Sequence, residues 1–489
     1  MKGAPDFDFA GGDGHILAMP SPTLLSDLAA LLGPKGFTTD ADTMAPWLSD
    51  WRGRVHGRAA AMLSPASTDE VQHVVRLCVT AGATLTMQGG NSGQCAGATP
   101  DASGEALLLS LRRMNRILTV DADAMLLRGD AGVILVHAHE AAEAAGLRFP
   151  LTLGGKGSAT LGGLVSTNAG GTQVLRHGTM RALTAGIEVV LADGSLLDLM
   201  TPLAKDNQGP DPKHIFIGAE GTLGIVTGVT LRLVPGVAAR AVGWLAVDTP
   251  TQALSVLRAL EPVLGASLEG FELIPQVALN NVIEHVPDCR APLAAPSPWH
   301  VLVEVVAAAG EPDPVERLED ALGALLAADL IDDATIAASE AQAEAFWKLR
   351  DAISEAEKAV GPAIQHDISV PVAAMPGYIE SVPAKVAAAF PGATSLPFGH
   401  LGDGNVHYHV RPPIDVDAEA WIAEYGTAAS RLVYNEALAL GGSISAEHGI
   451  GRVKRDLLSD IGDPARLGVL RAMKSAMDPS GMFNPGVLI

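Results

Sequence analysis

Residues 88–93 read Gln-Gly-Gly-Asn-Ser-Gly and come directly after a short apolar segment, 83–87, with the character of a β-strand. A helix is predicted before it, with Thr68 as its cap and Gly82 as its end. Because glycine permits positive φ and close backbone approach, successive amide N–H groups of such a loop can converge on phosphate oxygens. The order helix, strand and glycine loop therefore predicts a domain of helices and strands whose loops approach a ligand.

Two further glycine clusters follow, at 154–171 and 218–224. Any one cluster is equally well explained by tight turns. The three together favour a large cofactor that carries a diphosphate and is held by several loops. No Gly-x-Gly-x-x-Gly opens a helix after a strand, and no P-loop motif is present, so nicotinamide binding of the Rossmann type and P-loop nucleotide hydrolysis both lose support.

Composition narrows the class of protein. The chain has 489 residues, 48% of them apolar, and a formal charge of −22. This predicts a globular protein of two or three domains and disfavours nucleic acid and anionic membranes as partners. Three scattered cysteines without a Cys-x-x-Cys pair argue against a disulfide framework and a thiolate zinc site. Without an apolar leader in residues 1–10 or an uninterrupted eighteen-residue apolar run, we expect a soluble cytoplasmic protein with no transmembrane segment.

The second half contains the segment HLGDGNVHYH, which runs from His400 to His409. Its Gly-Asp-Gly-Asn is turn chemistry, so the flanking segments are expected to fold back and bring His400 beside His407. Further on, SAEHGIG supplies Glu447 and His448. Each residue alone is more often an ordinary core or surface residue, but four histidines in two short glycine-rich segments favour a site. Two imidazoles and a carboxylate can bind a divalent metal with a position left open for substrate.

A helix predicted over 339–360 carries Trp347, Arg350 and Ser354 at i, i+3 and i+7, on one face. The planar fork of an arginine suits a substrate carboxylate. The ordinary alternative is an exposed arginine paired with an acidic side chain.

Four segments carry a family resemblance: 87–93, 154–163, 167–171 and 217–225. They are similar to the FAD-binding domain of the vanillyl-alcohol-oxidase superfamily. In detail they resemble its FAD-dependent D-2-hydroxyacid dehydrogenase family, the D-2-hydroxyglutarate and D-lactate dehydrogenases, over about residues 65–485. The absence of histidine from the 87–97 loop predicts noncovalent FAD.

The resemblance implies roles for individual residues. It implies that the FAD pyrophosphate is bound by Gly89, Gly90, Asn91, Ser92 and Gly93, and that the flavin is lined by Thr160, Gly163, Asn168 and Ala169. It implies that the adenine side is contacted by Glu220, Gly221 and Ile225. Further cofactor contacts that it implies are Gln88, Gly154 and the tail residue Asn484. The metal ligands that it implies, for Zn²⁺ or Mn²⁺, are His400, His407 and Glu447, with His448 as the catalytic base. The substrate contacts that it implies are Arg350, Ser354, Gln365 and His409.

Two of these positions depart from the family pattern. Relatives acting on D-2-hydroxyglutarate commonly carry lysine at position 365 and asparagine at position 409, where this chain has Gln365 and His409. Losing a cation opposite a second substrate carboxylate costs about 1.5–3 kcal/mol of charge-assisted hydrogen bonding, unless a protonated His409 replaces it.

We therefore expect an α+β fold: a PCMH-type FAD-binding domain, an α+β substrate or cap domain, and a C-terminal segment that returns to the flavin. The predicted segments are 1–53 (N-terminal, helical), 54–235 (FAD-binding), 236–440 (substrate/cap) and 441–489 (active-site loop and tail).

The expected activity is oxidation of a D-2-hydroxy acid, of D-2-hydroxyglutarate type, to the 2-oxo acid, dependent on FAD and a divalent metal. The alternatives are a D-lactate or glycolate-type dehydrogenase, or a non-catalytic flavin-binding partner subunit. We expect an electron-transfer flavoprotein or a quinone as electron acceptor.

Overall fold

The computed structural model describes residues 19–489, so the predictions for residues 1–18 lie outside it. The chain forms two compact units. Of the described residues, the first comprises 19–171, Gly178–Pro235 and Glu447–Ile489, and the second comprises Thr172–His177 and Gly236–Ala446. The division into four segments remains a prediction. Among the residues described, no helix has the length and apolar character that crossing a membrane requires.

The described part of the first unit contains three sheets. One is four-stranded in the order β1-β2-β4-β3, with β2, β3 and β4 parallel, and consists of β1 (Phe37–Thr38), β2 (Ala61–Leu63), β3 (Leu85–Gln88) and β4 (Leu107–Ser110). Another is five-stranded and antiparallel in the order β5-β6-β10-β8-β9, and consists of β5 (Ile117–Asp121), β6 (Leu126–Asp130), β8 (Thr184–Val190), β9 (Leu196–Leu199) and β10 (Ile225–Arg232). The third pairs β7 (Leu147–Arg148) with β11 (Val234–Pro235).

The first unit also contains helices. They are α1 (Pro22–Gly36), α2 (Ala41–Met44), α3 (Thr68–Ala81), α4 (Leu135–Glu143), α5 (Leu161–Thr167), α7 (Met180–Leu183), α8 (Lys213–Phe216), α16 (Arg455–Ile461) and α17 (Pro464–Met477). The prediction that Thr68 caps α3 is wrong by one residue. Ser67 has the extended backbone of a cap and its hydroxyl accepts from the N–H of Glu70, whereas the Thr68 hydroxyl donates to Glu188 at 2.6 Å.

The second unit is built on one antiparallel sheet of seven strands, in the order β15-β12-β14-β13-β17-β18-β16. Its strands are β12 (Val237–Val247), β13 (Leu268–Pro275), β14 (Trp299–Ala308), β15 (Asp333–Ile336), β16 (Ile364–Ser369), β17 (Thr394–His400) and β18 (Asn405–Arg411). Its helices are α6 (Val174–His177), α9 (Pro250–Leu264), α10 (Gln276–His285), α11 (Pro314–Ala327), α12 (Glu340–Asp351), α13 (Ile353–Val360), α14 (Met375–Ala389) and α15 (Ala418–Ala439).

The single helix predicted over 339–360 is wrong, because it is divided at Ala352 into α12 and α13. Phe346 of α12 packs against Trp244 with ring centroids 6.0 Å apart, while Ile353 and Ala356 of α13 bury a second apolar face in the same core. The α+β fold class predicted from the sequence is confirmed.

Candidate active site

The first two glycines of the loop after β3, Gly89 and Gly90, are packed so closely that neither position has room for a side chain. A Cβ on Gly90 would lie 1.7 Å from the carbonyl oxygen of Ser158, and one on Gly89 would lie 2.2 Å from the Thr160 hydroxyl. Asn91 has a φ of 51°, in the left-handed region. Two of the glycine clusters therefore meet in the first unit, with backbone facing backbone.

Buried polar atoms at this junction lack partners within residues 19–489. They are the hydroxyl oxygen of Thr160 and the side-chain carbonyl oxygen of Gln88, whose amide nitrogen donates to the backbone oxygens of Trp47 and Ala98. Unsatisfied buried polar atoms are costly and often face a ligand. Glycine backbone with orphaned polar atoms beside it fits a dinucleotide cofactor.

Other residues assigned to the cofactor shape the same region. Asn168 ends α5 with a φ of 50°, and its side-chain oxygen accepts from the Thr179 hydroxyl at 3.0 Å and the Arg181 N–H at 2.9 Å. Its side chain thus holds the turn that carries the buried Ala169. Of the remaining glycines, a Cβ on Gly163 would meet the Thr160 hydroxyl at 3.2 Å, whereas one on Gly154 would meet nothing.

Glu220 joins three distant segments of the first unit. Its carboxylate accepts from the N–H groups of Ile450 at 2.8 Å and Gly451 at 2.7 Å, although burial raises its pKa. The side chain of Asn484 donates to the backbone oxygen of Glu220 at 2.6 Å and accepts from the Met87 N–H at 2.7 Å. Glu220 therefore binds the loop that follows His448 with its carboxylate, a contact that the sequence did not indicate.

The other two residues assigned to the adenine side lie close to Glu220 in the chain. Gly221 has a φ of 71°, and a Cβ there would lie 2.8 Å from the side-chain nitrogen of Asn484. Ile225 begins β10 and is buried in the core of the first unit.

In the second unit, three histidines lie where the Gly-Asp-Gly-Asn turn joins β17 to β18. His400 is the last residue of β17, and His407 and His409 share one face of β18. The rings of His400 and His407 have centroids 5.4 Å apart. Ser443 forms a β-bridge with Ser369 of β16. Glu447 comes four residues later, directly after Ala446, the last residue of the second unit.

Sequence reasoning missed Asp367, an acidic residue of the second unit beside these histidines. Asp367 is 2% exposed and directly opposite His407 in the pairing of β16 with β18. The signal for it was available, because an acidic residue in the short strand that also carries Gln365 was unlikely to be a simple core position.

Arg350, on α12, is ion-paired with a residue of the sheet that sequence reasoning also missed. Its Nε donates to the Oε2 of Glu272 at 2.7 Å, and the Oε1 of Glu272 lies 2.6 Å from the Nδ1 of His400. Glu272 is 1% exposed. Burial favours the neutral carboxyl, but Arg350 and His400 outweigh it and hold the pKa of Glu272 well below its usual range. A charged residue in the middle of the largely apolar β13, which also carries Glu269, was the signal.

The positions that depart from the family pattern are neighbours. Gln365 and His409 are directly opposite in the pairing of β16 with β18. The Nδ1 of His409 lies 3.2 Å from the carboxylate of Glu357, which also accepts from Arg411 and Asn281. Burial disfavours this charge, yet these partners lower the pKa of Glu357. Ser354, on α13 beyond the helix break, is exposed.

Two family descriptions match the chain. "FAD linked oxidases, C-terminal domain" matches residues 237–488, and "FAD binding domain" matches residues 59–200. The mitochondrial D-2-hydroxyglutarate dehydrogenase of Bos taurus is 35% identical over 461 residues, which cover 94% of this chain and 82% of the relative. The D-2-hydroxyglutarate dehydrogenase of Xanthomonas citri pv. viticola is 35% identical over 470 residues, which cover 96% and 97%.

Solved structures agree on the fold alone. An alkyldihydroxyacetonephosphate synthase superposes with a TM-score of 0.71 at 17% identity, covering 96% of this chain and 87% of its own. A p-cresol methylhydroxylase superposes with a TM-score of 0.69 at 13% identity, covering 95% of this chain and 96% of its own.

The D-2-hydroxyglutarate dehydrogenase relatives and the FAD-binding domain support an enzyme, not the alternative of a non-catalytic flavin-binding subunit. The chain belongs to the FAD-dependent D-2-hydroxyacid dehydrogenase family, and it is an FAD-dependent dehydrogenase that acts on a CH–OH group.

Proposed function

We propose that this dehydrogenase oxidises a D-2-hydroxy acid of D-2-hydroxyglutarate type to the 2-oxo acid, with a divalent cation held by His400, His407 and Glu447 and with His448 as the base. The observation that carries the proposal is the approach of His400 and His407, whose ring centroids lie 5.4 Å apart, in the sheet that also pairs with the segment leading to Glu447 and His448. The substrate type is supported by the relatives, which are named D-2-hydroxyglutarate dehydrogenases.

The donor set fits such a cation. Two imidazoles and one carboxylate suit Zn²⁺ or Mn²⁺ and leave a coordination position for a substrate oxygen. The contact between Glu272 and the Nδ1 of His400 supports the fit, because it puts the hydrogen of the neutral ring on Nδ1 and the lone pair on Nε2. A bound cation would take the place of the hydrogen bond that this lone pair accepts from Arg350. When bound, the cation would supply a lowered pKa to the substrate hydroxyl and the flavin would supply a hydride acceptor.

The residues of the chain then have separate tasks. His448 removes the proton of the hydroxyl, since an imidazole titrates near neutral pH. Arg350 binds the carboxylate next to the reacting carbon, which orients the hydroxyl toward the base. FAD is held by the glycine loops of the first unit, whose orphaned Thr160 hydroxyl is one of its expected partners.

A D-lactate or glycolate-type substrate is the second candidate, and Gln365 is the observation that favours it. A neutral side chain at this position offers no cation to a second carboxylate. We propose an electron-transfer flavoprotein or a quinone as the electron acceptor, since the sequence has no nicotinamide fingerprint. We also propose a cytoplasmic location, although relatives from Bos taurus and Rattus norvegicus are named mitochondrial.

The test is anaerobic mixing of the purified flavoprotein with D-2-hydroxyglutarate, D-lactate and their L enantiomers, with and without a chelator, while flavin absorbance is followed. We expect the D acids to bleach the flavin, D-2-hydroxyglutarate fastest, and the chelator to prevent it. Bleaching by L acids alone would refute the stereochemical assignment, and bleaching that a chelator leaves unchanged would refute the metal.

A further inference from the structure

Glu272 is placed where a carboxylate is costly. It lies in the middle of β13, a strand whose residues are all buried, and it is directly opposite His400 in the pairing with β17. Taking an ionised carboxylate out of water is strongly unfavourable unless its partners compensate. Its retention in this strand therefore depends on what its two oxygens bind.

Each oxygen of Glu272 has its own partner. The Oε1 lies 2.6 Å from the Nδ1 of His400, and the Oε2 accepts the Nε–H of Arg350 at 2.7 Å. An ionised carboxylate only accepts hydrogen bonds, so the Nδ1 of His400 must carry a hydrogen. The neutral ring then has its lone pair on Nε2, and the Nη2 of Arg350 is 2.9 Å from that atom, as a donor facing an acceptor.

We propose that Glu272 is a positioning residue, which fixes His400 in the tautomer whose Nε2 can bind a divalent cation and holds the guanidinium of Arg350 in one orientation. The inference rests on the proposed function, because it gives Glu272 a role through a metal ligand and a substrate-binding arginine. A carboxylate behind a metal-binding histidine raises the basicity of the ligand and fixes its ring.

A second buried carboxylate of the same sheet offers a matched control. Glu304, on the neighbouring strand β14, is 8% exposed and forms an ion pair with Arg240 at 3.0 Å. Like Glu272 it is a buried glutamate held by an arginine. Replacing Glu304 by glutamine therefore reproduces the loss of a buried charge in this sheet at a different ion pair.

The experiment uses the metal-stripped flavoprotein, titrated with Zn²⁺ against a chromogenic chelator. We expect Glu272→Gln to weaken Zn²⁺ binding ~10–100-fold, because the amide can present N–H groups to Nδ1 and favour the wrong tautomer. Glu304→Gln should stay within about twofold of the unchanged protein. Binding by Glu272→Gln within that same range overturns the inference.

Further variants separate this inference from the proposed function. If His400→Ala binds Zn²⁺ as the unchanged protein does, the metal site itself is wrong. If His400→Ala binds more weakly, adding Glu272→Gln to it should change affinity by no more than about twofold, since Glu272 acts through His400. A full further loss overturns the positioning role. Should Glu272→Gln fail to fold, Glu272→Asp keeps the charge but shortens its reach, and unaltered Zn²⁺ affinity in that variant counts against the inference.

The arginine half has its own measurement. At saturating Zn²⁺, Glu272→Gln should still show a KM for the D-2-hydroxy acid raised roughly tenfold, because Arg350 has lost the acceptor that aligns its fork. A KM equal to that of Glu304→Gln overturns this half.

Discussion

The two units bury different kinds of polar group. In the first, the buried polar side chains are mostly hydroxyls, among them Thr84, Thr86, Thr160, Thr184, Thr227 and Thr230. In the second they are mostly ionisable, among them Glu269, Glu272, His300, Glu304, Glu357, Asp367, His400 and His409. A hydroxyl needs one partner to be satisfied, whereas a buried charge needs an opposite charge and several hydrogen bonds.

This difference separates two ways of building a site. The glycine loops of the first unit offer backbone amides, and they are damaged by adding atoms. The seven-stranded sheet of the second unit offers imidazoles and carboxylates, and it is damaged by moving a proton or removing a charge. Substitutions that add a methyl group and substitutions that remove an ionisable group should therefore affect different properties of the enzyme.

The largest effect is expected from Gly90→Ala. Its Cβ would lie 1.7 Å from the carbonyl oxygen of Ser158, and a backbone atom cannot move aside as a flexible side chain can. We expect protein purified without flavin, measured as the ratio of flavin to protein absorbance. Gly157→Ala is the control in the neighbouring loop, because a Cβ there meets nothing within 4 Å. Equal flavin content in the two variants would contradict a backbone-built site.

Next comes His448→Ala, which removes the proposed base without adding atoms. Flavin should remain bound, while the rate of its reduction by substrate falls ~10²–10⁴-fold. Rapid mixing under anaerobic conditions measures that rate. The exposed His285, at the end of α10, provides the control substitution to alanine. Retained reduction in His448→Ala would refute the assignment, and loss of flavin would mean that the first unit had been disturbed instead.

The sequence predicted the features that depend on short spacing. The turn of four residues between His400 and His407, and the alternation that puts His407 and His409 on one face, are both local. Glu272 was missed because its partner His400 is 128 residues away and the strand order that joins them is not encoded nearby. The contact of Glu220 with Ile450 spans 230 residues and escaped for the same reason.

Local sequence patterns gave wrong helix boundaries where two neighbouring choices are nearly equal in energy. The helical periodicity of 339–360 continues through Ala352, but its ψ of −4° departs from the helical value of about −42°, and its residue type does not indicate this. Ser67 and Thr68 are both good caps by residue type. The choice between them depends on Glu188, which binds Thr68 from 120 residues away.

A third prediction concerns acid stability in the second unit. Burial lowers the pKa of His300 to about 4, below its value of about 6.5 in the unfolded chain. The unfolded state binds the proton first, so stability is complete above about pH 6.5 and falls as the pH drops toward 4, by about 3 kcal/mol. Free energies of unfolding at a series of pH values should show a smaller slope in His300→Gln. An identical slope would exclude this histidine as a source of acid sensitivity.

The smallest effect tests substrate choice. Gln365→Lys restores a cation opposite His409, and a charge-assisted hydrogen bond to a second carboxylate contributes about 1.5–3 kcal/mol, or roughly 10–150-fold in kcat/KM. D-2-hydroxyglutarate should gain by that factor, and D-lactate, which has no second carboxylate, should not.

The reason to expect a gain lies in how His409 is held. Its Nδ1 faces the carboxylate of Glu357, so only its Nε2 remains for a substrate, and a single imidazole nitrogen replaces an ammonium group poorly. If D-2-hydroxyglutarate gains nothing from Gln365→Lys, its far carboxylate is bound elsewhere. If D-lactate is already the faster substrate of the unchanged enzyme, then the neutral Gln365 itself selects against a second carboxylate, and the site is adapted at this position to a smaller acid.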